Sequence, residues 1–231
     1  MEVLWDSAVK KKIEPFAIGI GIIKNIKVCN QAGNLDIIKK NIFERTRKNF
    51  TIETIRNTSI VEAYRKFYWQ YLGIDPTKIR PSGEALVRRV LNGHEIPIIN
   101  NIVYSINLAS IQTQLSFSGF NLNKIKPPLK IRFALPQENF QGIGMRSRSL
   151  TGNELLLADI EKILCIYAYG DADITKVTEH TKDILLVTYG IPNISSKILK
   201  NGVELGLNLI RETGGGEKGE IIVSKSVPLG L

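Results

Sequence analysis

Cys29, His94, Cys165 and His180 are residue types that could together hold a zinc ion. Zinc ligands come in closely spaced pairs, whereas these four stand singly along the 231 residues, so no metal is expected. Nucleophilic catalysis fares no better. No GxSxG turn leads into a helix, and neither histidine has a serine or cysteine partner in sequence. His180, between Glu179 and Thr181, reads as a solvated turn residue. The run GGGEKGE at 214–220 lacks the GxxxxGK[ST] spacing and follows a helix instead of opening one, and GIGIIKN at 19–25 has only two glycines of a dinucleotide fingerprint. What remains is DPTKIRPSGEALVRR at 75–89, where two prolines and a serine precede a helix among four basic side chains. Its chemistry is recognition of an anion, or framework.

The bulk composition sets the partner class. Lys and Arg number 31 against 22 Asp and Glu, a formal charge of +9, which suits a polyanion or a generally lysine-rich surface. With 43 % hydrophobic and 23 % charged residues the chain can bury a substantial core. Two distant cysteines fit a reducing compartment. The apolar run Phe16–Ile23 is broken by Gly19 and Gly21, is too short for a bilayer and has no small-residue cleavage site after it, so a cytoplasmic protein without a membrane partner is expected.

Local spacing predicts the supports. Residues 15–28 are rich in Ile and Val and read as a strand whose glycines allow a close backbone approach. Leu35, Ile38, Ile42 and Phe43 share one helical stripe. A second helix over about 60–72 puts Tyr64, Phe67, Tyr68 and Tyr71 on one face, which is read as packing in preference to base stacking. Pro76 and Pro81 stiffen the approach to a helix over 83–91, with Ser82 as N-cap and Gly93 as left-handed stop. Leu86, Val87, Val90 and Leu91 face inward, which displays Lys78, Arg80, Arg88 and Arg89 to phosphates or to solvent alone. A helix over 100–111, capped by Asn100 or Asn101, carries Asn107 as a framework pin or a ligand contact. Strands at 129–135, 154–158, 163–168 and 184–189 and a last helix at 195–212 complete an α+β pattern without regular alternation.

Four ordered stretches carry a family resemblance. DPTKIRPSGEAL (75–86), INNIVYSIN (99–107), FSGFNLNKI (117–125) and VTEHTKDILL (177–186) are similar to runs of the B3/4-type tRNA-binding and editing domain of the phenylalanyl-tRNA synthetase beta subunit and its free-standing relatives. The resemblance covers roughly residues 16–210. It implies a three-layer α+β fold, a mixed β-sheet core of unusual topology with flanking helices, as a single domain over 1–231. Within it, 1–72 would supply an N-terminal strand with two helices packing on it, 73–212 the core motifs and 213–231 a C-terminal tail.

The resemblance also implies a pocket that inspects the acyl end of an aminoacyl-tRNA. The synthetase domain hydrolyses tyrosine wrongly attached to its tRNA by positioning water at the ester, and it selects tyrosine by hydrogen-bonding the phenolic hydroxyl. The pocket is then expected at Asn107, Ser118, Gly119, Phe120, Tyr169 and Gly170, with tRNA or another RNA held by Lys78, Arg80, Arg88 and Arg89, and with neither metal nor cofactor. Asn100, Asn101, Asn107, Phe120, Lys124, Thr178, Glu179, Thr181 and Asp183 keep the family's residues. Ser118 stands in place of a histidine, Gly119 of an alanine, Asn121 and Tyr104 of aspartates, and Val187 of the acidic residue at a strand end of the pocket. These departures leave three readings open: a deacylase acting in trans, an RNA-binding module without hydrolysis, and a pocket for a free amino acid or similar small molecule.

Overall fold

The structure, a computed structural model, describes residues 1–30 and 35–226. The first half of the chain runs β1 (Val3–Trp5), α1 (Ser7–Lys12), β2 (Ala17–Lys24), α2 (Leu35–Asn49), α3 (Ser59–Leu72), α4 (Ser82–Leu91) and α5 (Asn101–Thr113). Seven strands follow: β3 (Phe117–Asn121), β4 (Leu129–Phe133), β5 (Asn139–Phe140), β6 (Arg148–Ser149), β7 (Leu155–Ala158), β8 (Ile163–Ile166) and β9 (Gly170–Asp171). The chain then continues through β10 (Ile184–Tyr189), α6 (Ser196–Gly214) and β11 (Glu217–Lys225).

The strands form two main sheets. One has the order β1-β4-β7-β8-β9, with β1 and β4 parallel and the other neighbours antiparallel; the second is antiparallel with the order β11-β2-β10-β3. Alternation along β10 shows how the layers meet. Leu185, Val187 and Tyr189 enter a core shared with Ile131 of β4, Leu157 of β7 and Leu164 of β8, whereas Ile184 and Leu186 pack with α5 and α6. The four-stranded sheet is therefore the middle of three layers, an α+β architecture with a mixed sheet and flanking helices. β2 can lie under α6 because it carries glycine where they touch: a Cβ on Gly21 would come 2.6 Å from Val203 Cγ1.

Helix α3 buries Tyr64, Phe67 and Tyr68 in the core that holds Ile18 and Ile20 of β2, so its aromatic stripe is packing. The other helix expected on the N-terminal strand, α2, instead lies against α4 and α5. The expected tail contains β11, the edge strand paired with β2. Two expectations about α4 part ways. Gly93 closes it at φ +77°, its amide bonding the Val90 carbonyl at 3.1 Å and the His94 amide the Arg89 carbonyl at 3.0 Å. Ser82, however, is the first helical residue and not the cap; Pro81 holds that position and makes no side-chain capping bond. At α5 the cap is Asn100, whose side chain accepts from the Val103 amide at 2.8 Å.

Candidate functional site

A cavity of about 340 Å³ lies where α3, the start of α4, β3, the β8–β9 hairpin and the end of β10 converge. In-register pairing assembles its polar floor. β3 and β10 set Ser118 opposite Val187, and the β8–β9 hairpin sets Cys165 opposite Asp171. The hairpin tip, residues 167–169, turns with Ala168 at φ +71° and Gly170 at φ +111°, a conformation glycine adopts at little cost. The Ser118 hydroxyl thereby donates to Asp171 Oδ1 at 2.5 Å.

Burial dominates the electrostatics. It raises the Asp171 carboxyl from 3.8 to about 6, with hydrogen bonds from Ser118 and Cys165 pulling the other way. Burial also drives the Cys165 thiol well up, and the Asp171 charge adds to that, so Cys165 is a poor nucleophile at neutral pH. Asp171 is different. A carboxyl titrating near 6 is mostly ionised at neutral pH yet basic enough to accept a proton.

The side chains of Ser116, Tyr167 and Tyr189, 8 %, 5 % and 5 % exposed, also line the cavity; among the described residues the Ser116 and Tyr167 hydroxyls are buried without a hydrogen-bond partner, and the Tyr189 hydroxyl lies beside the Cys165 thiol. Each unpaired group costs about 1–3 kcal/mol when buried, which makes the wall behind this hollow polar. Tyr64 is already engaged. Its hydroxyl donates to the Tyr189 carbonyl and accepts from the Ser116 amide at 3.3 Å.

Ser118, Tyr169 and Gly170, expected in the pocket from the sequence, line this cavity, and Arg80 of the cationic group stands at it as well. Three others do not. Gly119 faces the opposite way, toward α5, where a Cβ would come 2.3 Å from Ile106 Cδ1. Phe120 is fully buried in the core between the sheets, and Asn107 is half-buried on α5 away from the cavity lining. The framework pin of α5 is Asn101 instead. Its Oδ1 accepts from the Cys29 amide at 2.8 Å, and its Nδ2 donates to the Lys27 and Thr213 carbonyls at 2.9 and 3.0 Å.

The cations divide in a similar way. Lys78, Arg80 and Arg89 are exposed, but Arg88 is half-buried and committed to the fully buried Glu84, which takes Arg88 Nε at 2.7 Å and Arg65 Nη1 at 3.0 Å. Arg89 donates through Nε to the Glu95 carbonyl at 2.6 Å. Arg80, Arg88 and Arg89 line a second hollow of about 520 Å³ along α4, together with Asn92 and His94, whereas Lys78 lies outside both hollows. Asp171, Cys165, Ser116, Tyr167 and Tyr189 are site residues that the sequence motifs do not single out. The available signal for Asp171 was its position one residue after Gly170, in the strand that follows the Tyr169 turn.

Comparison with known proteins identifies the family. The family model of the B3/4 domain matches residues 63–208. The phenylalanine–tRNA ligase beta subunit of Haemophilus ducreyi is 27 % identical over 146 residues, covering 53 % of this chain and 18 % of that protein. The Fusobacterium nucleatum beta subunit is 29 % identical over 161 residues, covering 68 % and 20 %. This chain thus spans about a fifth of the length of these curated relatives. An N-terminal fragment of the phenylalanyl-tRNA synthetase beta subunit from Pyrococcus horikoshii superposes with a TM-score of 0.49 at 12 % identity, over 94 % of this chain and 50 % of the fragment. Among the described residues no helix is long and apolar enough to cross a membrane.

Proposed function

Since this chain belongs to the B3/4 domain family, we propose that it is a tRNA-directed protein whose cavity receives the amino acid carried on a tRNA 3′ end and hydrolyses that ester in trans. One observation supports this reading above the others: a single cavity combines an ionisable carboxyl bonded to a serine with hydroxyl-bearing side chains, Ser116, Tyr167 and Tyr189, in its wall. Its size, about 340 Å³, is at the scale of small-ligand pockets. The formal charge of +9 and the exposed Arg80 and Arg89 suit a phosphate backbone.

The chemistry needs few groups. Above a pH of about 6 the Asp171 carboxylate can take a proton from water held against the acyl carbon. The water oxygen adds to the ester carbonyl, the bond to the ribose oxygen breaks, and the proton passes to that oxygen. The products are a free amino acid and a 3′-hydroxyl. Ser118 orients the carboxylate through its donated hydrogen bond, while Ser116, Tyr167 and Tyr189 offer contacts to an acyl group with polar atoms of its own.

Incubation with a panel of mischarged tRNAs tests this directly. At least one species should lose its amino acid faster than in buffer, and Asp171→Asn should abolish the acceleration. If no species does so, hydrolysis is excluded. Ser118 and Val187, in place of a histidine and an acid, favour a second reading, a non-catalytic RNA-binding module. That reading requires salt-sensitive tRNA binding with equal affinity for charged and uncharged forms.

A further inference from the structure

Asp171 brings to the cavity a negative charge that no cation among the described residues neutralises. Its partners there are neutral, the Ser118 hydroxyl on Oδ1 and the Cys165 thiol. It takes part in none of the ion pairs among the described residues, and Arg80, the one Lys or Arg in the cavity lining, is not paired with it. Asp171 also belongs to the hollow itself: it is half-buried and lines it, whereas the Ser116 and Tyr167 hydroxyls are shut into the wall. Mostly ionised at neutral pH, a desolvated carboxylate without a counter-ion is costly, and a cation from outside the chain would relieve that cost. A metal ion would need more ligands, and among the described residues no three His, Cys, Asp or Glu side chains come together to hold one. An ammonium group suits the lining better. Tyr64, Tyr68, Phe117, Tyr167 and Tyr169 stand around the hollow, and aromatic rings attract ammonium groups placed over their faces.

We infer that Asp171 takes the α-ammonium group of the acyl residue, so that the cavity admits aminoacyl ends with a free α-amine and rejects N-acylated ends, such as peptidyl or formylaminoacyl. The inference rests on the reading of the cavity as an acyl site, and covalent geometry ties the two together. In any aminoacyl ester the α-nitrogen lies about 2.5 Å from the carbonyl carbon, across two bonds of ordinary length and angle. A carboxylate that holds water against that carbon is therefore within reach of that nitrogen. One carboxylate can serve both, since its two oxygens offer about four acceptor positions and Ser118 fills one. An N-acyl group removes the positive charge and adds bulk at the same point, leaving the carboxylate desolvated and unpaired. For a protein acting on tRNA in trans this decides which charged ends are spared: esters whose α-nitrogen is already in an amide bond.

The test is equilibrium binding of non-hydrolysable compounds to the full chain at neutral pH: the tyrosyl, phenylalanyl and alanyl 3′-aminoacylamino-3′-deoxyadenosines, each beside its counterpart lacking the α-amine and its N-acetyl derivative. The wild type should hold the free amine of the best-bound set at least about tenfold tighter than either companion, as a charge-assisted hydrogen bond would give. Asp171→Asn, which keeps an oxygen for the Ser118 hydroxyl, should bring the ratio of amine to des-amino compound toward one. Wild-type binding of the des-amino or N-acetyl compound as tight as that of the amine, or an amine preference unchanged in Asp171→Asn, overturns the ammonium pairing and leaves the acyl cavity standing. Failure of the wild type to bind any of the compounds overturns the acyl reading and the pairing with it.

Discussion

Replacing Asp171 by asparagine should make the protein more stable at neutral pH while removing its proposed chemistry. The folded-state value is raised from 3.8 to about 6. A raised carboxyl favours the folded state fully below the unfolded value, and that contribution is lost as pH rises through the folded one, because ionising the buried group costs more than ionising it in the unfolded chain. At 1.36 kcal/mol per pH unit the difference amounts to about 3 kcal/mol, an upper figure once water reaches the open cavity. Asparagine keeps an oxygen for the Ser118 hydroxyl and never ionises. Urea unfolding of both proteins at pH 4, 6 and 8, with equal m-values, measures the gap. It should be near zero at pH 4 and grow toward about 3 kcal/mol in favour of Asp171→Asn at pH 8. In parallel, any ester hydrolysis by the wild type should rise through a midpoint near 6. A gap that does not change with pH, or a variant less stable than wild type at pH 8, would refute the reasoning.

Other perturbations separate framework from site. Glu84→Ala leaves Arg65 and Arg88 beside a buried space and should lower stability by about 3–5 kcal/mol in the same urea assay. Tyr167→Phe removes a buried hydroxyl that has no partner among the described residues, so thermal stability should hold or rise slightly while any deacylation slows. Arg89→Ala should reduce the slope of log affinity for tRNA against log salt by about one, with little change in melting temperature. Arg88→Ala should do the reverse, because it strips a buried carboxylate of a partner.

The parts of the fold carried by a single repeat were legible in the sequence. The aromatic stripe of α3 is buried as its helical spacing requires, and the Gly19–Gly21 pair of β2 does mark a close approach, to α6. Of the cavity lining, Ser118, Tyr169 and Gly170 were legible. The partner of Ser118, Asp171, arrives 53 residues later, on the edge strand of the other sheet, and no local pattern encodes that pairing. β11 escaped notice because an edge strand half-exposed along its length lacks a clear alternation of apolar and polar residues. Arg88 looked like a surface cation. The Glu84 four residues before it was the available signal, since that spacing places both side chains on one helix face.

The central claim is that the hollow above Asp171 is shaped for the acyl end of an RNA, and a crystal structure of the full chain with a non-hydrolysable 3′-tyrosylamino-3′-deoxyadenosine tests it most directly. The account predicts the amino-acid side chain within hydrogen-bonding distance of the Tyr167 or Tyr189 hydroxyl and the amide carbonyl carbon next to the Asp171 carboxyl. A ligand seated elsewhere on the surface would contradict it.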